Sequence, residues 1–230
     1  MFSKITESPV LARIAPFAVF ILLTALQERF GEPARYWIYL GKTLAGAGML
    51  AVVWRHLAEL EWRVSWEAAA VGVAVFALWV GLDGHYPTTQ ALLEKVHLAK
   101  PSPTPAWNPQ AEFGPGSTLA IFFIVVRIVG SSLVVPCLEE VFFRSFVYRY
   151  LAGKDFLAVP LGKFLPVPFI VTALLFGFEH QQWLAGILCG FAYQGLVIWK
   201  GRLGDAVTAH GLTNFLLGLW VAWKSAWNFW

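Results

Sequence analysis

The sequence predicts an all-helical, polytopic transmembrane bundle of about seven spans, with six to eight as the bounds. Three observations lead there. Hydrophobic residues make up 58% of the 230 residues, charged residues only 13%, and the mean hydropathy is +0.62. A soluble domain usually carries about 25% charge. Apolar runs long enough to cross the hydrocarbon core then recur along the chain, and the C-terminal WVAWKSAWNFW is an aromatic belt of the kind found at headgroup depth. Together these exclude a soluble enzyme, a disordered protein and a disulfide-rich secreted domain.

The first span is expected from Val10 to Leu26, the second from Tyr36 to Trp54 and the third from Ala68 to Leu82. No small-residue cleavage site follows the first run, so it reads as a retained span and not a signal peptide. Between Asp83 and Gly116 lie Pro87, Pro101, Pro103, Pro105, Pro109 and Pro115. Each proline fixes its own backbone and removes a helix donor, so this is a loop, with room for one short helix from Thr88 to His97. It divides the chain into residues 1–116, spans plus Pro-rich loop, and 117–230, a second helical bundle within one integrated membrane domain.

From Ser117 to Leu151 the apolar stretch is 35 residues long. As a helix it would measure about 52 Å, too long for one upright crossing. Gly130, Ser131, Ser132 and Pro136 are where it should kink or break. Further spans are expected at Val167–Gln181, Trp183–Trp199 and Leu203–Trp223, followed by an aromatic belt in WVAWKSAWNFW.

Seventeen Lys and Arg against fourteen Asp and Glu leave a net charge of +3 and a pI near 8.9. No basic patch interleaved with aromatics occurs, so no nucleic-acid partner is expected. The basic residues serve topology instead. With a cytoplasmic N-terminus, nine fall inside (Lys4, Arg13, Arg55, Arg63, Arg149, Lys154, Lys163, Lys200, Arg202) and five outside (Arg29, Arg35, Lys95, Lys100, Lys224). Cys137 and Cys189 both lie in apolar segments, which is no framework for bridges.

Ionisable groups inside apolar helices are costly, so each requires an explanation. PCLEEVFFRSF contains Glu139, Glu140 and Arg144. Glu140 and Arg144 stand four apart in the favourable order for an ion pair on one helix face. Glu139 is rotated about 100° away and needs its own proton, metal or donor. FGFEH brings Glu179, readable as interfacial, and His180. HGLTN places His210 and Asn214 four apart on one face of the last span.

Counted from one membrane face, Glu139 lies about 18 Å deep, His180 about 21 Å, His210 about 10 Å and Asn214 about 16 Å. Three helices can therefore bring four polar groups together inside the bilayer. A carboxylate with an imidazole activates water, and a second imidazole with an amide can meet a developing oxyanion. The same residues could hold zinc, and spacing does not choose between the two.

Other hydrolytic plans fit less well. There is no HExxH and no GxSxG, and Asp83, Asp155 and Asp205 all fall near span ends. A buried apolar cysteine such as Cys137 is more often inert than nucleophilic.

Glu139-Glu140-x-x-x-Arg144, Phe176-x-x-x-His180 and His210-x-x-x-Asn214, in this order on membrane spans, resemble the CPBP family of intramembrane proteases. That family includes type II CAAX prenyl endopeptidases and bacterial relatives tied to bacteriocin immunity. The resemblance runs from Ser117 to Trp223. It implies an intramembrane endopeptidase; the expected setting is the bacterial inner membrane with a membrane-anchored or prenylated-like protein or peptide substrate, whose identity the resemblance does not carry. Glu139 would be the catalytic base, His180 would bind the same water, and His210 and Asn214 would line the oxyanion site. Glu140 and Arg144 would organise their helix. The resemblance also implies a divalent metal such as zinc at Glu139, His180 and His210, with a metal-free glutamate mechanism as the alternative.

Two rival readings remain from the sequence. One is a non-catalytic scaffold or immunity-type protein of the same fold, which would have no need of Glu139. The other is a transporter, which would be expected to show paired repeats and buried charges in both halves.

Overall fold

In the computed structural model, residues 2–27, 29–100 and 106–230 are described, with side chains from Ile5 onward. Pro101, Pro103 and Pro105 of the expected loop lie outside them. Among the described residues there is no strand. The chain runs through α1 (Phe2–Glu7), α2 (Pro9–Gln27), α3 (Ala34–Val53), α4 (Trp66–Leu82), α5 (Thr89–Lys95) and α6 (Pro109–Phe113). It continues through α7 (Thr118–Ala152), α8 (Pro166–Phe178), α9 (Trp183–Lys200) and α10 (Gly204–Lys224).

Among the described residues four helices are long and apolar enough to cross a membrane: α2, α3 with its last turn to His56, α7 and α9. Helices α4 and α8, with 17 and 13 residues, are apolar but shorter. Thirteen residues rise only about 20 Å, less than the hydrocarbon thickness. Each of the seven expected segments contains a helix, but the one expected at Val167–Gln181 stops at Phe178, so His180 sits in a turn and not on a helix, and not all seven are alike as spans. The last, α10, carries Asp205, His210 and Asn214 and is correspondingly less apolar.

The 35-residue stretch does not break at Gly130–Pro136. It continues as one helix through two π-helical segments, Gly130–Val134 and Val141–Val147. Widened turns of this kind often occur at functional sites. The first lets α10 come close, since a Cβ on Gly211 would lie 2.7 Å from the Ser132 carbonyl oxygen. Helices α8 and α9 meet in the same manner at Gly177, where a Cβ would lie 2.7 Å from the Ile187 nitrogen. Both contacts draw the polar segments toward a common centre. The short helix expected at Thr88–His97 is found at Thr89–Lys95, capped by the Thr88 hydroxyl. A second short helix, α6, was not legible. Its Asn108 cap accepts from Gln110 and Ala111, with Pro109 opening the helix.

The two halves are joined by a charged cluster that the spacing did not reveal. Arg13 of α2 grips Glu59 with Nε at 2.7 Å from Oε1 and Nη2 at 2.9 Å from Oε2. Arg149 of α7 reaches Glu59 at 3.2 Å, and the Ser145 hydroxyl donates to the same carboxylate. Arg13 and Arg149 are among the residues that the charge count places at one membrane face. Burial pushes the Glu59 carboxyl up, but the Arg13 and Ser145 hydrogen bonds outweigh it and hold the group below its ordinary range. A depressed carboxylate contributes stability above its unfolded pKa and loses it as pH falls through its folded value. Thermal stability in detergent should therefore decline on acidification below the ordinary carboxylate range. Glu59→Gln should start less stable and lose less over that same interval, as a melting series against pH would record.

Candidate active site

In the middle of α7, Glu139 and Glu140 close the α-helical turn between the two π segments and Arg144 lies in the second; all three are deeply buried, with Glu140 and Arg144 at 0% exposure. Arg144 Nε lies 3.1 Å from Glu140 Oε2, the ion pair that the four-residue spacing predicts. The guanidinium also rests 4.1 Å above the Phe176 ring, so the second motif supplies its floor. Glu140 has a second partner that spacing did not suggest. His210 Nδ1 is 3.0 Å from Glu140 Oε1, while its Nε2 stands 3.9 Å from Glu139 Oε2. Glu140 thus ties α7 to α10 and orients the His210 ring. Tyr193 of α9 stacks on that ring at 5.1 Å, and its hydroxyl lies 2.7 Å from Thr213 Oγ1.

His180 lies just beyond the end of α8, in the turn before α9. Its Nδ1–H donates to the Phe176 carbonyl at 2.8 Å. A carbonyl can only accept, so the neutral ring keeps its lone pair on Nε2. Trp79 of α4 meets the ring edge-on at 5.3 Å. Asn214 Nδ2 donates to the Ser131 carbonyl at 2.8 Å, within the first widened turn of α7. One amide hydrogen remains for another acceptor.

Glu139, Glu179, His180, His210 and Asn214 line one cavity of about 460 Å³. Glu179, expected at the interface, is exposed yet belongs to this lining. Lys42 and Arg127 lie on the same wall system, as do Asn228 and Trp230 beyond the last helix. Glu139 Oε2 is buried and has no hydrogen-bond donor among the described residues. A buried carboxylate oxygen facing a cavity is suited to receive a proton from a bound water. Cys137 faces a different cleft, with Leu50 and Trp54. Among the described residues no three His, Cys, Asp or Glu side chains stand close enough together to hold a metal ion.

Residues 120–216 match the family model described as type II CAAX prenyl endopeptidase Rce1-like. They form an Rce1-like segment, which is the resemblance that the three motifs carry. No curated protein and no solved structure matches the chain.

Proposed function

We propose, from the premise that residues 120–216 are an Rce1-like segment, that this integral membrane protein hydrolyses a peptide bond of a membrane-associated substrate. One observation carries the reading. The Glu139 carboxylate, one oxygen of which has no hydrogen-bond donor among the described residues, shares a cavity with His180, His210 and Asn214, brought together from two helices, α7 and α10, and the turn after α8.

In this reading a water enters between Glu139 and the Nε2 lone pair of His180. Glu139 takes its proton as the hydroxide oxygen attacks the scissile carbonyl. The carbonyl oxygen gains the negative charge and is met by the second Asn214 N–H and by His210 Nε2–H. Glu140 Oε1, 3.0 Å from His210 Nδ1, holds the ring while Nε2 is left for the cavity side. Collapse of the tetrahedral intermediate returns the Glu139 proton to the leaving amine. Arg144 holds Glu140, and Glu140 holds His210, so the ion pair acts on the oxyanion side through the ring.

A fluorescence-quenched peptide ending in a prenylated Cys-aliphatic-aliphatic-X sequence tests the reading on protein reconstituted in liposomes. The wild type should cleave it, and a chelator arm reports on metal dependence. Asn214→Ala should lower kcat about 10²- to 10³-fold with little change in KM, the loss typical of one oxyanion donor. Wild-type turnover in Asn214→Ala would remove this residue from the site. A wild type inert toward prenylated and unprenylated membrane peptides would overturn the hydrolase reading.

A further inference from the structure

The segment Tyr86–Gln90 lies outside the family match, yet it grips the turn that carries His180. The Thr89 hydroxyl donates to the His180 carbonyl at 2.7 Å. Thr89 N–H donates to the Gln181 carbonyl at 2.9 Å. The next amide, of Gln90, donates to the Gln181 side-chain oxygen at 3.2 Å. On the far side of the turn, Trp183 Nε1–H donates to the Pro87 carbonyl at 2.9 Å, and the Ala185 amide donates to the Tyr86 hydroxyl at 3.1 Å.

These bonds answer a local need. The last carbonyls of α8 and the first amides of α9 have no partner within their own helices. A turn left to itself here would have several orientations, and His180 sits within it. Its ring is fixed at one end by Phe176 and on one side by Trp79, but its backbone is fixed by Thr89. Thr89 does not line the cavity. Its hydroxyl reaches the cavity wall through the backbone of His180, and its amide through that of Gln181.

We propose that Thr89 is a positioning residue, whose hydroxyl holds the His180 carbonyl and thereby sets the imidazole at the cavity wall. The hydroxyl has one proton, and the His180 oxygen takes it, the Gln181 oxygen lying farther off at 3.4 Å. Thr89→Val keeps the shape and removes that proton, while Thr89→Ser keeps it.

The test uses the full chain in nanodiscs, with ¹⁵N-labelled histidine rings and assignment by single His→Gln variants. The kinetic arm rests on the hydrolase reading and uses the prenylated quenched peptide; the spectroscopic arm does not depend on activity. In Thr89→Val the His180 ring signal should shift or split while the His210 signal stays in place. Thr89→Ser should match the wild type in both. Displacement of about 1 Å can cost 10²-fold, so kcat in Thr89→Val should fall roughly 10- to 100-fold with KM unchanged. An unmoved His180 signal in Thr89→Val overturns the proposal. So does a Thr89→Ser signal disturbed as much as that of Thr89→Val, or a His210 signal that moves equally. If the wild type does not cleave the peptide, the hydrolase reading fails for that substrate and the ring signals alone decide the role of Thr89.

Discussion

Glu139→Ala should abolish cleavage of a membrane peptide while the protein melts at nearly the wild-type temperature. General bases typically contribute about 10²- to 10⁴-fold, and the loss should fall on kcat. The structural reason for intact folding is that Glu139 holds little in place. One of its oxygens has no donor among the described residues, and His210 Nε2 stands 3.9 Å from it. His210 keeps its own anchor on Glu140 at 3.0 Å. Removing Glu139 also deletes a buried carboxylate, whose desolvation opposes folding. Steady-state kinetics beside a thermal melt separate the two effects. Turnover near wild type in a well-folded Glu139→Ala protein would refute the proposed base.

Arg144→Ala should do the opposite, with its largest effect on stability. The guanidinium is fully buried, pairs with Glu140 and lies on the Phe176 ring. Truncation leaves Glu140 in a low-dielectric site with only His210 Nδ1 beside it and opens a cavity beside Phe176. Breaking a buried pair from one side typically costs about 3–5 kcal/mol. That is a large part of the stability of a typical domain, so yield in detergent and melting temperature should both fall. The double variant Glu140→Gln with Arg144→Met should cost less than Arg144→Ala alone, because no charge is then left unpaired. A stable Arg144→Ala protein that has lost turnover would instead bring Arg144 into contact with the substrate.

The two predictions differ although the residues are five positions apart on one helix. Their difference could be anticipated in part. The four-residue spacing of Glu140 and Arg144 named the ion pair, and the rotation of Glu139 away from it named the carboxylate without a structural role. Spacing within one helix is local geometry, and local geometry is what a sequence states directly. It could not state that Glu140 also holds His210, because that contact joins residues 70 positions apart.

What the sequence determined by itself was the helical membrane class, the course of the long helices to within a few residues, and the motif residues. Apolar length, proline placement and helical spacing are properties of a few consecutive residues, and the bilayer makes each of them decisive. The long helix from Thr118 shows the limit of that reasoning. Gly130, Ser131, Ser132 and Pro136 marked where it would yield, but whether it would break or widen depended on α10 packing through Gly211 against Ser132. The tertiary structure alone decided which atoms face one another. It brought Arg13 and Arg149 onto Glu59, Asn214 onto the Ser131 carbonyl and Thr89 onto the His180 carbonyl. Threonine, serine and a lone loop glutamate are common and carry no spacing signal. Their roles arise only when a distant backbone group without a helical partner, or a distant charge, is packed against them, and that is settled by how the whole bundle closes.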